Sequence, residues 1–231
     1  MEFLENPYFL LALTFGIYLL ARTINRRTGI ALLNPILISV TALIIFLYTT
    51  RIPYSTYTAA GGYIEFWLKP AVVALGVPLY RQLSTIRKQL LPIIVAELAG
   101  CVAGVVSVVL IAQALGASRE VVLSLAAKSV TTPIAMEVTA TVGGIVPLTA
   151  AVVVCVGIFG GMAGFRVMSM ARVKSPMARS LAIGTAAHAL GTCAAVDAGG
   201  HRYGAWASLG LILNGLVTAL LTPTLLSLLG V

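Results

Sequence analysis

Long apolar runs, separated by short polar or basic stretches, make up most of this sequence. Continuous runs at about 7–21, 30–50, 91–115, 145–170 and 204–229 have the composition of membrane-spanning helices. A spanning α-helix needs roughly 20 predominantly apolar residues. Because the apolar positions are continuous rather than alternating, the pattern disfavours a β-barrel. The sequence therefore predicts an all-α polytopic membrane protein.

Three further apolar segments, 61–80, 119–142 and 181–196, are interrupted by polar residues, proline or glycine. The first holds two charged residues and two prolines, and the second holds the run KSVTTPIAMEV. The third, LAIGTAAHALGTCAAV, places a single histidine among small residues. Polar groups and lost backbone hydrogen bonds are expensive in lipid, so we predict broken helices at 61–80 and 181–196.

Basic residues cluster in three loops, 22–27, 81–88 and 172–179. Cytoplasmic loops are enriched in Lys and Arg, so we expect all three loops on the cytoplasmic side. This assignment requires the segment 119–142 to enter and leave the membrane on the outer side. The sequence thus predicts about seven crossings plus one re-entrant segment.

This topology gives the second to fourth and the sixth to eighth segments opposite orientations, and each triplet has a broken middle member. We therefore predict a single membrane domain, 1–231, with inverted repeats at about 30–115 and 145–231. Paired broken helices in two inverted halves are typical of the binding site of a secondary transporter.

Composition excludes several other classes of protein. Hydrophobic residues make up 59% and charged residues 10% of the 231 residues, whereas soluble domains carry about 25% charged residues. The net charge of +8 lies in short loops, which indicates membrane topology rather than nucleic-acid binding. The three cysteines lack metal-ligand spacing and no catalytic motif is present, so we predict neither an enzyme nor a cofactor. The acidic N-terminus lacks the basic region of a signal peptide, so we expect the first run to be retained.

The run Lys128–Pro133 is the first candidate site. Proline frees carbonyl groups in the preceding turn, and a lysine at membrane depth usually faces a partner or an aqueous cavity. A lysine, hydroxyl groups and a helix N-terminus together suit a carboxylate substrate. The alternative is that Lys128 reaches to the membrane surface and that the Thr-Pro pair only kinks a helix.

His188 is the second candidate, because an interior histidine can bind a proton near neutral pH. That property indicates proton coupling, and the alternative is a single interhelical hydrogen bond. Asp197, which ends the same segment, can bind a cation or a proton. Its alternatives are a helix cap or a place in an outer loop.

Other polar residues in apolar segments favour structural roles. Glu97 and Glu137 are carboxylates within or near membrane segments, which makes them candidates by default. Glu65 and Lys69 have the spacing of a helical ion pair. Asn34, directly before a proline, is first of all a signal for the start of a helix.

Five motifs carry a family resemblance: LLNP at 32–35, KPAVVALGVPLYRQL at 69–83, KSVTTPIAMEV at 128–138, GTAAHALGT at 184–192 and GAWASLGLILNG at 204–215. Together they resemble the CidB/LrgB family of bacterial inner-membrane proteins, which includes YohK-like proteins. KSVTTPIAM with the downstream histidine motif is specific, and the resemblance spans nearly the whole chain.

The resemblance implies a multi-pass protein of the inner membrane that works with a small CidA/LrgA-type holin-like membrane protein. In that role it affects murein hydrolase activity and cell lysis as an antiholin-like regulator. The resemblance also implies transport, because the related plastidal translocator carries glycolate and glycerate and bacterial members are linked to pyruvate movement. Paired broken segments and buried polar groups favour a secondary transporter of small monocarboxylates, and the regulator is the alternative.

For the transporter, the predicted substrate site joins the two polar segments. Its residues are Lys128, Ser129, Thr131, Thr132, Pro133, Thr185, His188, Gly191 and Thr192. His188 or Asp197 is predicted to carry a coupling proton. A small organic anion is the expected partner, nucleic acid is not expected, and the sequence is compatible with a homo-oligomer.

Overall fold

In the computed structural model, the described residues are 4–28, 33–74, 77, 80 and 83–231. Residues Met1–Val77 and Pro78–Val231 form two compact units. The helices are α1 (Pro7–Thr28), α2 (Pro35–Thr50), α3 (Tyr54–Ala74), α4 (Leu83–Lys88), α5 (Leu90–Ala114), α6 (Arg119–Ala126), α7 (Thr132–Val142), α8 (Val146–Met170) and α9 (Pro176–Leu228).

Four of these helices, α1, α5, α8 and α9, are long and apolar enough to cross a membrane, and α2 is a shorter apolar helix. Large hydrophobic side chains are exposed along many of the helices, as contact with lipid requires. The chain is therefore a membrane protein whose described elements are all helices, as its sequence predicts.

The first unit contains α1, α2 and α3. Asn34 caps α2, because its side chain accepts hydrogen bonds from the backbone amides of Ile36 and Leu37. This satisfies two of the donors that the start of a helix leaves free. The hydroxyl oxygens of Thr14 and Tyr57 lie 3.0 Å apart and link α1 to α3.

Helix α3 differs from the broken helix predicted at 61–80. It begins earlier and stays helical through Pro70 to Ala74. A proline inside a helix removes one backbone hydrogen bond without necessarily ending the helix. The side chains of Glu65 and Lys69 and the break predicted at Pro78 lie outside the described residues.

In the second unit, residues 119–142 form a hairpin of two short helices, α6 and α7, which we call the first hairpin. Ser124, in its first arm, contacts residues at the start of α8. The Ser124 hydroxyl accepts a hydrogen bond from the amide of Ile145 at 2.7 Å. The Ser124 carbonyl accepts one from the hydroxyl of Thr149 at 2.9 Å. These contacts hold the first arm of the hairpin against the start of α8.

The tip of the first hairpin is the turn 127–131. Thr131 is the N-cap residue of α7, and Pro133 lies in its first turn, where a missing amide donor is tolerated. The two arms have eight and 11 residues, fewer than the roughly 20 that a crossing needs. The structure thus has a hairpin where the sequence predicts a re-entrant segment.

Helix α9 is interrupted by non-helical backbone at Ala187–His188 and at Gly199–Gly200. In a continuous helix, residues eight positions apart are separated by about 12 Å. Here Gly191 lies against the backbone carbonyl of Ile183. Ala195 also belongs to the same buried cluster as Ile183. The chain therefore folds back on itself at the first break.

Residues 176–198 are thus a second hairpin, which takes the place of the crossing predicted at 181–196. His188 at its tip has φ 42° and ψ −132°, a conformation rare for a residue other than glycine. Glycine and alanine in both arms permit the close packing of a helical hairpin. After the reversal at Gly199–Gly200, residues 201–228 form the last segment of α9.

The first arm of the second hairpin lies beside α5 and α8, which run in opposite directions. Along α5, Leu181 packs with Ile93. One turn later in both helices, Thr185 of the arm contacts Glu97 of α5. Along α8 the order is reversed, because Ile183 faces Gly164 and Ala187 faces Gly160.

The tips of the two hairpins lie near the middle of the long helices. At the first tip, Ser129 lies next to Gly104 of α5. At the second tip, the His188 ring lies next to Gly157 of α8. Both hairpins therefore end about halfway along helices that are long enough to cross the membrane.

Cysteine labelling tests the second hairpin. In a background whose three native cysteines are replaced by alanine, Lys174→Cys and Gly200→Cys should react with an impermeant maleimide from the same side. The reason is that a hairpin returns the chain to the side on which it began, and the basic loop places that side in the cytoplasm. Reaction of the two positions from opposite sides would show that 181–196 crosses.

Candidate functional site

A cavity of about 400 Å³ lies within the second unit, between α5, the tip of the first hairpin, the first arm of the second hairpin and the last segment of α9. Its size is within the range of small-molecule sites, and most of its wall is apolar. The polar or sulfur-containing side chains that line it are Glu97, Cys101, Lys128, Ser129, Met177, Thr185, Asn214 and Thr218.

Glu97, on α5, is only 1% exposed. Its two carboxyl oxygens lie 2.8 and 3.0 Å from the hydroxyl oxygen of Thr185. That hydroxyl oxygen also lies 2.8 Å from the carbonyl oxygen of Leu181. A carboxyl group this deep in a membrane protein is expensive when ionised, so its protonation state matters for whatever the cavity binds.

Lys128 lies at the tip of the first hairpin and outside the long spanning helices. Its ammonium donates a hydrogen bond to the hydroxyl of Ser129 at 3.2 Å. Within the described ranges, Lys128 forms no ion pair. A bound carboxylate would supply the missing counter-charge and stabilise the charged ammonium.

Asn214, on the last segment of α9, joins the two hairpins and is 1% exposed. Its amide nitrogen donates to the carbonyl of Ser129 at 3.3 Å and to the carbonyl of Thr185 at 2.9 Å. The hydroxyl of Thr218 donates to its amide oxygen at 3.2 Å. Because both hairpin partners are carbonyls, only the nitrogen of Asn214 can face them.

Three of the predicted substrate residues, Lys128, Ser129 and Thr185, lie on the wall of the cavity. They come from both hairpins, so the fold brings together the two polar segments that the sequence singles out. The described wall does not include the other six, Thr131, Thr132, Pro133, His188, Gly191 and Thr192. The first three of these begin α7, and the last three belong to the tip and second arm of the second hairpin.

His188 faces α8 rather than the cavity. Its Nε2 atom lies 3.0 Å from the carbonyl oxygen of Val153, and the residue is 5% exposed. The Thr192 hydroxyl donates to the His188 carbonyl at 3.1 Å, which satisfies a group at the break. The ring therefore makes the interhelical hydrogen bond that the sequence left open as the alternative to proton coupling.

Asp197 is exposed near the end of the second hairpin, and Glu137 is exposed on α7. Neither residue is part of the described wall of the cavity. Their positions suit contact with water or with lipid headgroups more than contact with a ligand in the cavity.

Two residues of the cavity, Glu97 and Asn214, were not predicted as substrate or coupling residues. Each is a polar side chain within a long apolar run, and this is the signal that marks both of them in the sequence. Polar side chains that make only structural hydrogen bonds give the same signal. The sequence alone therefore does not separate a binding role from a structural one.

The fold and the cavity define a helical membrane protein whose two hairpins meet at a site, and the described wall of this site holds one ammonium and one carboxyl group. The chain belongs to the LrgB-like family, whose profile matches residues 14–228. The family resemblance carried by the sequence motifs is thereby confirmed.

Several relatives match over most of their length. The chain is 32% identical over 225 residues to the holin-like protein CidB of Staphylococcus epidermidis, covering 97% of each chain. It is 30% identical over 226 residues to the antiholin-like protein LrgB of Bacillus mycoides, covering 97% of this chain and 98% of the relative. It is 33% identical over 190 residues to the uncharacterized protein YxaC of Bacillus subtilis, covering 82% and 83%. No solved structure matches the chain.

Proposed function

We propose that this chain is a multi-pass protein of the inner membrane that regulates murein hydrolase activity and cell lysis. In this role it would act with a small CidA/LrgA-type holin-like partner. The observation that carries the proposal is the near full-length similarity to relatives named holin-like and antiholin-like.

An autolysis assay tests this role. Deleting the gene for this chain should change the rate of detergent-induced lysis, and a plasmid copy should restore it. A strain that lacks only the small partner serves as the comparison. If both proteins act in one pathway, each deletion should change the lysis rate, either in the same direction or in opposite directions. An unchanged lysis rate in the deletion strain would argue against the regulatory role.

The cavity favours a second candidate at the molecular level, a secondary transporter of small monocarboxylates of the pyruvate, glycolate or glycerate class. A half-buried ammonium without an ion pair in the described chain suits a carboxylate, and the mostly apolar wall suits a short carbon chain. A site formed by two hairpins near mid-span also fits the position of transporter sites.

An internal repeat supports the transporter further. Residues 90–142 and 146–198 each contain a long helix of 25 residues followed by a hairpin. The tripeptide SLA at 124 recurs at 180, and the pair GG at 143 recurs at 199, both 56 positions later. Since α5 and α8 run in opposite directions, we propose that these two stretches, rather than 30–115 and 145–231, are the inverted repeats.

This repeat relates Ser129 to Thr185, again 56 positions later. The carbonyls of both residues accept hydrogen bonds from Asn214, so equivalent points of the two halves meet at one amide. We place the substrate carboxylate between the tip of the first hairpin and the first arm of the second, at the Lys128 ammonium and the Ser129 hydroxyl. Saturable uptake of labelled pyruvate or glycolate into proteoliposomes is the expected result, and its absence for both would argue against the carrier.

A further inference from the structure

The hydroxyl of Thr185 has one hydrogen and three oxygen neighbours. Its oxygen lies 2.8 Å from the Leu181 carbonyl oxygen and 2.8 and 3.0 Å from the two carboxyl oxygens of Glu97. A carbonyl and an ionised carboxylate only accept hydrogen bonds. An ionised Glu97 therefore competes with Leu181 for a single hydrogen.

A proton on Glu97 removes this competition. The protonated carboxyl donates to the oxygen of Thr185, and Thr185 donates to the carbonyl of Leu181, four residues earlier. That second bond is the usual one for a threonine inside a helix. With the acid neutral, one Glu97 oxygen donates to Thr185 and the Leu181 carbonyl keeps the Thr185 hydrogen. The two hydrogens then make two hydrogen bonds without competition, so the arrangement accommodates the neutral acid.

The groups around Glu97 leave few other proton carriers in the cavity. In the described part of the wall, the titratable groups are Glu97 and Cys101 on α5 and Lys128 on the first hairpin. The two segments of α9 that face Glu97 contribute hydroxyls and an amide, among them Thr185 and Asn214. Glu97 forms no ion pair with Lys128 in the described chain.

Resting on the proposed carrier activity, we propose that Glu97 carries the coupling proton, so that the cavity binds one proton and one monocarboxylate together. An ionised Glu97 would compete with the substrate carboxylate for Lys128 and would repel it, whereas a neutral Glu97 does neither. The proton on the Glu97 carboxyl and the anion at Lys128 are taken up on one side and released on the other. Their charges cancel, and Lys128 keeps its own proton throughout.

This role differs from the coupling predicted for His188 or Asp197. The His188 ring is held by the carbonyl of Val153 outside the cavity, and Asp197 is exposed. Glu97 is the carboxyl group that shares the cavity with Lys128, so protonation there changes directly what an anion encounters.

Glu97→Gln tests the proposal, because glutamine reproduces the neutral, hydrogen-donating side chain but cannot release a proton. In proteoliposomes, the wild-type protein should accumulate labelled pyruvate when the outside is acidic. Glu97→Gln should lose this accumulation while still exchanging labelled for unlabelled pyruvate. For purified wild-type protein, pyruvate affinity should fall about tenfold per pH unit once the pH exceeds the value at which the proton-carrying group titrates. Glu97→Gln should show no such pH dependence.

The matched control is Glu137→Gln, which removes an exposed carboxylate and should keep both the accumulation and the pH slope. Accumulation by Glu97→Gln under the pH gradient would overturn the assignment. Loss of pyruvate binding and exchange in Glu97→Gln would also overturn it, since the neutral form is the one proposed to bind the anion. Wild-type protein that neither binds nor moves pyruvate or glycolate would instead reject the carrier activity itself.

Discussion

Lys128→Met should weaken the binding of pyruvate or glycolate by about 10- to 150-fold. Methionine keeps an unbranched apolar side chain and removes the ammonium, so the carboxylate loses its charged partner at the tip of the first hairpin. A hydrogen bond to a charged group contributes about 1.5–3 kcal/mol, which corresponds to this range of affinity. The measurement is the dissociation constant of each anion with purified protein, together with uptake into proteoliposomes.

Two further variants make this result specific. Lys174→Met removes an exposed lysine of the basic loop and should leave binding and uptake as they are. Lys128→Arg keeps the charge but replaces a point charge by a planar fork, so we expect intermediate affinity. Wild-type affinity in Lys128→Met would remove this residue from the site. Thermal unfolding in detergent checks that each variant remains folded.

The Lys128→Met strain also separates the two proposed roles. If regulation of lysis depends on the movement of a carboxylate, the autolysis rate of this strain should match that of the deletion strain. If the chain regulates lysis through its partner alone, the lysis rate should stay at the wild-type value although uptake is lost. The two roles thus make opposite predictions for one variant.

The sequence predicts the first hairpin because its tip contains signals that act locally. A lysine and a proline within the run KSVTTP are each unfavourable in an ordinary spanning helix. The same signals predict Lys128 and Ser129 as parts of a site. These conclusions depend on the chemistry of neighbouring residues, which the sequence contains directly.

The second hairpin is harder to predict, because its reversal occurs at Ala187–His188 without a proline. A run of alanine, glycine and leucine is compatible both with one spanning helix and with two arms packed on each other. The choice depends on glycines such as Gly191, which permits the close approach of the opposite arm. This is a tertiary contact, and for the same reason His188 is assigned to a cavity wall that it does not reach.

Asn214 presents the same difficulty, since an asparagine in an apolar helix can meet any of several partners. Its partners are the carbonyls of Ser129 and Thr185, 85 and 29 positions away. Only the packing of both hairpins against the last segment of α9 brings them together. Because one buried amide joins both hairpins, its loss should affect the relative position of the hairpins more than the structure of either one.

Asn214→Leu should therefore lower stability and abolish uptake. The variant leaves two carbonyls and the hydroxyl of Thr218 without the side chain of Asn214. We expect the free energy of unfolding to fall by about 1–4 kcal/mol. This is less than three lost hydrogen bonds would cost in a water-soluble core, because hydrogen bonds between membrane helices are weak on average. The measurements are thermal unfolding in detergent and pyruvate uptake.

Thr222→Val is the matched control on the same segment, because the buried Thr222 hydroxyl has no hydrogen-bond partner among the described residues. Valine there should be neutral or slightly stabilising. Equal effects of the two variants would show that Asn214 contributes only packing, whereas uptake lost in Asn214→Leu alone ties activity to the amide that joins the hairpins.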